Sequence, residues 1–271
     1  MASCSSVSDI KPDDYLIRAR ESIQKQQFQL AKRYVDSVQI RFPKEFAKIR
    51  EGIAIMREIN YAEQTRTLSY CDSMLKVKQT LLPEIQKGFK FEKNNDYETV
   101  GHYVHRSQSS DNQVGHTNLQ TKVDERGKLI LTSYYCGARA LGHNRIRATS
   151  SDGTFAESMV VPKDGALNYS FKDGNVCFEF VRFNEKTENG ILGFIQQHDK
   201  SPIRIHLTGG STSVSYQLST NDRLVVKEAI QLSAVLSDIT RLLDEIKLAQ
   251  AKLEYIRLKQ QGVDPIEETN N

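Results

Sequence analysis

Four histidines and one cysteine in the middle of the chain carry the side chains best suited to holding a metal ion: His102, His105, His116, Cys136 and His143. Imidazole nitrogens and a thiolate are ligands that zinc prefers. His102 and His105, however, are three residues apart in a predicted strand, where odd spacing points side chains to opposite faces. Their H-x-x-H pattern also lacks the glutamate and the helix of a zinc-protease motif. We therefore expect surface or hydrogen-bonded histidines, with no metal and no other cofactor.

Other patterns of catalytic chemistry are missing from the sequence. It contains no G-x-S-x-G nucleophile elbow and no P-loop, and residues 137–142 (GARALG) do not match the dinucleotide-binding glycine pattern. Several Asp-Gly pairs occur, but D-x-D-x-D-G does not, so tight turns explain them without calcium. These absences favour a protein that is not an enzyme.

Tyrosines are the alternative source of binding chemistry, because a ligand ring can stack on an exposed aromatic side chain. The chain has no Trp, so the candidate ligand contacts are Tyr134, Tyr135 and Tyr169. Tyr134 and Tyr135 are neighbours in a predicted strand, and alternation sends one of them into the core. A binding module of this kind predicts an apolar cleft lined by tyrosines and a few polar groups.

The cysteines beyond position 4 are Cys71, Cys136 and Cys177, an odd number with no C-x-x-C spacing. Neither a zinc ribbon nor a disulfide framework is therefore indicated. Cys136 and Cys177 both fall in predicted strands and could pair across a sheet in an oxidising compartment. Buried free thiols are the favoured alternative, since unpaired cysteine is among the most buried residue types.

Residues 88–220 are predicted to form a mostly antiparallel β domain with one short helix, at 188–198 (ENGILGFIQQH). Short runs rich in β-branched and aromatic residues alternate there with turn signals such as Ser151-Asp152-Gly153 and Asp173-Gly174. The candidate strands are 97–106, 116–123, 128–136, 145–150, 154–161, 167–171, 176–183, 203–208 and 213–219.

The residues before this domain predict helices. Asp13 and Asp14 are candidate N-terminal caps for the first helix of a hairpin, and the second helix should end before Pro43. The hairpin resembles one tetratricopeptide repeat, whose small residues let two helices pack closely. The positions that carry this likeness are Tyr15, Ala19, Ala31, Val35 and Pro43. They do not recur one repeat further on, so no repeat array is predicted.

Two long helical segments should pack against each other. Residues 44–86 carry two apolar stripes. The first consists of Ile49, Ile53 and Met56, and the second of Leu68, Cys71, Leu75, Leu82 and Ile85. Near the other end of the chain, apolar residues recur in steps of three and four, the spacing of a coiled-coil seam: Leu232, Val235, Ile239, Leu242, Ile246, Ala249, Leu253 and Ile256. We expect an α+β fold in which residues 12–87 and 221–261 form an antiparallel helical stalk and the β domain is inserted between them. A parallel dimer through the same seam is the alternative.

The first residues, MASCSSVSD, decide the expected location of the protein. Cys4 stands between small residues and a Ser-rich stretch, as in a processed bacterial lipoprotein, and residues 1–11 are interpreted as a tether. No stretch has the roughly 20 apolar residues of a membrane span. The near balance of 37 basic and 34 acidic residues predicts no nucleic-acid partner.

The combination of segments resembles uncharacterised lipoproteins of Bacteroidota. The resemblance rests on SCSS, on the helical hairpin ending RFP, on GFKFEK and GHYVH, and on SPIRIHLTGGSTSVSYQLSTND before a last helix. It implies lipidation at Cys4 and membrane attachment at the cell envelope; a cytoplasmic protein with a disordered N terminus is the alternative. Residues 262–271 are expected to be a disordered tail.

These observations lead to three functional hypotheses. The first is a non-enzymatic, lipid-anchored scaffold or binding protein, with a protein partner on the helical stalk. The second is a glycan-binding or small-ligand-binding module. The third, a metal-dependent hydrolase, requires three of the His and Cys side chains to converge.

Overall fold

The computed structural model describes residues 10–94, 96, 98–108, 115–210 and 212–261. Their fold is α+β, as predicted, with α helices and two antiparallel sheets. The chain divides into a helical unit, residues 1–76 and 242–271, and a mixed unit, residues 77–241. The mixed unit is larger than the predicted 88–220, because one end of each long helix belongs to it. The predicted tail and nearly all of the predicted tether lie outside the described residues.

The helices of the described chain follow the predicted order. The hairpin is present, and the predicted helix at 188–198 is shortened to 191–197. A four-residue helix that was not predicted, 185–188, precedes it, and Asn189 and Gly190 between the two have positive φ, 53° and 84°. The helices are α1 (Pro12–Gln24), α2 (Phe28–Arg41), α3 (Phe46–Gln86), α4 (Glu185–Glu188), α5 (Ile191–Gln197) and α6 (Thr220–Gln260), with a 3-10 turn at Arg106–Gln108.

The strands form a six-stranded sheet of order β1-β2-β3-β4-β8-β7 and a four-stranded sheet of order β10-β9-β5-β6. Two have the predicted bounds, whereas β1 was not predicted and the candidate at 97–106 shortens to β2. The strands are β1 (Phe89–Glu92), β2 (His102–His105), β3 (Asn118–Asp124), β4 (Leu129–Gly137), β5 (Arg145–Ser150), β6 (Phe155–Glu157), β7 (Asn168–Asp173), β8 (Val176–Phe183), β9 (Ile203–Gly209) and β10 (Thr212–Leu218).

The start of α1 differs from the expected capping. Pro12 is the first helical residue, where a missing backbone N–H costs nothing. The Asp14 carboxylate accepts a hydrogen bond from the backbone N–H of Lys11 at 2.9 Å. Asp14 therefore supports the helix start from inside its first turn instead of preceding it.

Small residues let the hairpin pack closely on α3. Ala19 of α1 and Ala31 of α2 are fully buried. A Cβ atom at Gly52 of α3 would lie 3.3 Å from the Val35 side chain, so even alanine there would require that side chain to shift by a few tenths of an ångström. The first predicted stripe on α3 is partly wrong, because Ile53 is exposed and the buried positions there are Gly52, Ile55 and Ile59. All residues of the second stripe are buried or half-buried, as predicted.

The predicted antiparallel pairing of α3 with α6 is confirmed. In the helical unit, Tyr61 of α3 lies in one hollow with Leu253 and Arg257 of α6. In the mixed unit, Lys78 of α3 pairs with Asp238 of α6 at 2.7 Å. All eight seam positions of α6 are buried or half-buried, which is the arrangement that the heptad spacing predicts.

The core of the mixed unit lies between the two sheets. Inward side chains of the six-stranded sheet, such as Leu131 and Phe183, meet those of the four-stranded sheet, such as Ile146 and Ile205, and α5 adds Ile195. At the β1 edge the same inner face is covered by α6 and the end of α3. One face of each sheet is thus largely buried, and alternation along the strands turns the other face outward.

Candidate functional site

A groove of about 400 Å³ lies on the outer face of the six-stranded sheet. Its floor is built by alternate residues of β4, β7 and β8, and in β4 and β8 the neighbours of these residues, such as Ser133 and Glu179, are buried. Four of these floor residues are aromatic and come from three adjacent strands: Tyr134, Phe171, Phe178 and Phe180. The volume falls in the range of small-ligand pockets.

The aromatic rings of the floor are stacked on one another. Tyr169 lies against Phe180 with ring centres 4.8 Å apart and planes 8° apart. Phe171 stacks on Phe178 at 5.1 Å and on Phe180 at 5.7 Å, while Tyr134 meets Phe180 edge-on at 4.9 Å. This contact network fixes the ring positions, although Phe171 remains 51% exposed. The groove therefore offers a preorganised apolar surface to a ligand.

A chain of buried hydrogen bonds holds one side of the groove. The Tyr134 hydroxyl donates to Gln120 Oε1 at 2.6 Å, and Gln120 Nε2 donates to the Gln108 carbonyl at 3.0 Å. The Gln108 side chain in turn donates to the Leu119 carbonyl and accepts from the Thr121 N–H. Burial raises the pKa of Tyr134, which therefore stays a neutral donor at neutral pH.

Polar residues surround the apolar floor. Glu92 and Asp173 bring carboxylates to the groove, and Lys122 and His116 bring groups that can donate hydrogen bonds. A ligand that rests on the aromatic floor could therefore pair its polar groups with donors and acceptors of both kinds.

The predicted tyrosines divide as alternation requires. Tyr134 points outward into the groove, and Tyr169 lies beside it through its stacking on Phe180. Tyr135 belongs to the core, where its hydroxyl donates to the Arg139 carbonyl at 2.8 Å. Phe171, Phe178 and Phe180 were not predicted as ligand contacts, although the alternating aromatic residues in YSF and FEF indicate one shared face.

The candidate metal ligands are not gathered into one place. His116 and Cys136 both line the groove, and His102 lies on the same outer face of the sheet. His105 and His143 instead contact carboxylates on its inner side. Among the described residues, no group of three or more His, Cys, Asp or Glu side chains could hold a metal ion.

Of the two alternatives for Cys136 and Cys177, the favoured free thiols are confirmed and the disulfide is not formed. Cys177 lies directly opposite Gly137 in the β4–β8 register, and Cys136 lies opposite Phe178. Cys136 and Cys177 are therefore one position out of step and point to opposite faces of the sheet.

Ser133, His143 and Glu179 form a hydrogen-bonded chain inside the mixed unit. Glu179 Oε2 accepts from His143 Nδ1 at 2.8 Å, and the other ring nitrogen is 3.1 Å from the Ser133 hydroxyl. These residue types also form catalytic relays, but here all three are at most 2% exposed. A substrate has no access to them, so their role is structural.

The Glu179 carboxylate organises the loop before β5. Its oxygens also accept from the backbone N–H groups of Leu141, Gly142 and His143, at 2.7, 2.7 and 2.9 Å. Burial alone would raise the pKa of Glu179. The hydrogen bonds from the His143 ring and the backbone outweigh burial and lower this pKa to about 2.

A second Ser-His-Glu arrangement lies nearer the surface and connects β2 to α6. His105 Nε2 is 3.0 Å from Glu228, and its Nδ1 is 2.8 Å from the Ser107 hydroxyl. The Ser107 N–H also points at Nδ1, and Asn221 donates to the Ser107 hydroxyl. These hydrogen bonds surround His105 and Ser107 on every side. They explain the arrangement as a structural connection between strand β2 and helix α6.

Comparison of the chain with models of protein families, with curated proteins and with solved structures finds no match in any of the three. Within the described part of the chain, none of the helices combines the length and apolar character needed to cross a bilayer. Cys4, the predicted lipidation site, lies outside the described residues.

Proposed function

We propose that this chain is a non-enzymatic binding protein whose ligand is a glycan, held by one of its sugar rings in the aromatic groove of the six-stranded sheet. The observation that carries the proposal is the stacked aromatic floor, in which Phe171 is half exposed and yet fixed in place by two neighbouring rings. Exposed apolar surface that is held rigid in a concave site is typical of ligand binding.

A sugar ring suits this groove because it has an apolar C–H face and a polar edge. The C–H face can lie on Phe171 and Tyr134. These rings take the place of tryptophan, which the chain lacks. Its hydroxyls both donate and accept hydrogen bonds. Glu92 and Asp173 can accept from them, and Lys122 can donate to them.

Replacement of Phe171 by alanine is expected to weaken glycan binding about tenfold or more, because removal of one stacking ring costs on the order of 1.4 kcal/mol. The ligand would be selected on an array of neutral and acidic oligosaccharides, and affinity measured by isothermal titration calorimetry. Phe155→Ala is the matched control, since Phe155 is a similarly exposed phenylalanine on the four-stranded sheet. Failure to retain any glycan, or equal affinities for the wild-type chain and Phe171→Ala, would contradict the proposal.

We further propose that the binding protein is attached to a membrane of the cell envelope by a lipid on Cys4. The support is the Ala-Ser-Cys-Ser-Ser run and the resemblance to Bacteroidota lipoproteins. In bacteria that express the full precursor and are fed labelled palmitate, Cys4→Ser should abolish labelling and move the protein out of the membrane fraction. Cys71→Ser is the control, since that thiol is buried. Unchanged labelling of Cys4→Ser would show that this cysteine is not the anchor.

A further inference from the structure

A second hollow, of about 260 Å³, lies on the outer face of the four-stranded sheet. It is separate from the aromatic groove, which lies on the other sheet. No acidic residue lines it: its lining is Thr149, Ser150, Ser151, Pro202, Ile203, Arg204, His206 and Gln217. Asp152, in the adjacent turn, is already engaged by hydroxyl groups of Ser150 and Thr154. The hollow therefore combines hydrogen-bond donors with positive charge.

The strand register places the polar residues of this hollow in adjacent rows. Arg204 in the central strand β9 lies between Thr149 of β5 and Gln217 of β10. His206, two residues further along β9, lies on the same face, with Arg147 opposite it on β5. Directly opposed residues in a sheet have Cβ atoms about 5 Å apart, so these side chains can meet at one ligand.

Arg204 differs from the other arginines of this face. Arg147 pairs with Glu157 at 3.0 Å and lies over the Phe155 ring, and Arg145 also approaches Glu157, at 3.8 Å. Within the described part of the chain, Arg204 has neither a hydrogen bond nor an ion pair, and it is exposed. Its guanidinium, with five N–H donors, is thus available to a ligand.

The pKa of His206 depends on the charges that surround the hollow. Burial lowers the pKa of His206, and the positive charges of Arg204 and Arg147 lower it further. An anion that reduces this positive field should raise the pKa of His206 again.

We propose that this hollow binds a tetrahedral oxyanion, the phosphate or sulfate group of a small ligand, with the Arg204 guanidinium as its main partner. The guanidinium fork matches two oxygens of such a group, and the hydroxyls of Thr149 and Ser151 and the amide of Gln217 supply further donors around it. The chain then has two ligand sites of opposite character on its two sheets.

The test uses sulfate, which keeps its charge throughout a histidine titration. The imidazole resonances of the full chain would be followed by NMR against pH, in chloride and in sulfate of equal ionic strength. We expect a saturable rise in the pKa of His206 with sulfate, whereas His102 and His116, on or beside the other sheet, should not respond. A linear drift shared by all histidines, or no change at His206, would overturn the proposal.

The Arg204→Gln variant distinguishes sulfate binding at Arg204 from a general effect of charge on the pKa of His206. The substitution itself should raise the pKa of His206 in chloride, because it removes a positive neighbour. It should also weaken the sulfate response at least about tenfold, as expected for the loss of a charge-assisted hydrogen bond. Arg145→Gln, which removes equal charge from the far end of the face, should keep the response. Equal responses in Arg204→Gln and the wild-type chain would reject Arg204 as the anion's partner.

Titration with methyl phosphate shows whether the oxyanion belongs to a phosphate ester or is the free phosphate ion. If methyl phosphate produces the same response at lower concentration than inorganic phosphate, the ligand is an ester. If the two compounds produce the response at equal concentrations, the free phosphate ion is sufficient. Either result supports an oxyanion site.

Discussion

Glu179→Ala should destabilise the mixed unit by about 3–5 kcal/mol, because several buried hydrogen-bond donors lose the acceptor that they share. The substitution leaves the three backbone N–H groups of residues 141–143 and the His143 ring without their acceptor. Urea unfolding followed by circular dichroism measures the change. Glu157→Ala is the control, because its ion pairs with Arg145 and Arg147 lie at the surface and should contribute only about 0–1 kcal/mol. Similar losses in both variants would show that the buried carboxylate has no special role.

The same carboxylate predicts how stability depends on pH. Its folded-state pKa of about 2 lies below the ordinary value of 4.5 that applies to the unfolded chain. The contribution of Glu179 is therefore fully present above pH 4.5 and is lost as pH falls from 4.5 toward 2. Glu179→Gln should unfold with a weaker pH dependence in this window than the wild-type chain. An identical pH dependence in the two proteins would contradict this assignment.

Leu242→Asp should destabilise the helical unit by at least about 4 kcal/mol, since it places a charge at a seam position that is only 1% exposed. Lys247→Asp is the matched control, because the Lys247 side chain is 78% exposed. It should change the free energy of unfolding by no more than about 0.5 kcal/mol. Thermal and urea unfolding of the three proteins measure both effects. A Leu242→Asp chain as stable as the control would mean that the seam is not a buried interface.

The long-range pairing of α3 with α6 could be predicted because the seam of α6 is periodic over more than three heptads. The first stripe of α3 was less predictable. Its surroundings include the hairpin as well as α6, so burial shifts to Gly52, Ile55 and Ile59 and leaves Ile53 in solvent. Periodicity identifies an apolar face but does not specify how many partners cover it.

The residues of the aromatic groove could likewise be predicted from the sequence only in part. Strand alternation correctly separated Tyr134 from Tyr135, but the groove also needs Phe171, Phe178 and Phe180 from two later strands. Their meeting depends on the order β4-β8-β7, which places distant segments side by side. For the same reason His143 was recognisable as a hydrogen-bonded residue, whereas its partner Glu179 was not. Their contact is set by how the loop before β5 folds over the inner face of β8.

The Gln108 side chain has a consequence for how the protein behaves at high concentration. Among the described residues, strand β2 pairs with β3 only at residues 122–124, so Leu119 and Thr121 have no strand partner on that side. Gln108 takes up the Leu119 carbonyl and the Thr121 N–H with its own amide, in place of a neighbouring strand. An open edge of this kind is a template for strand addition by another copy of the chain. Gln108 therefore occupies two of the backbone groups that an added strand would need at this edge, which should disfavour self-association there.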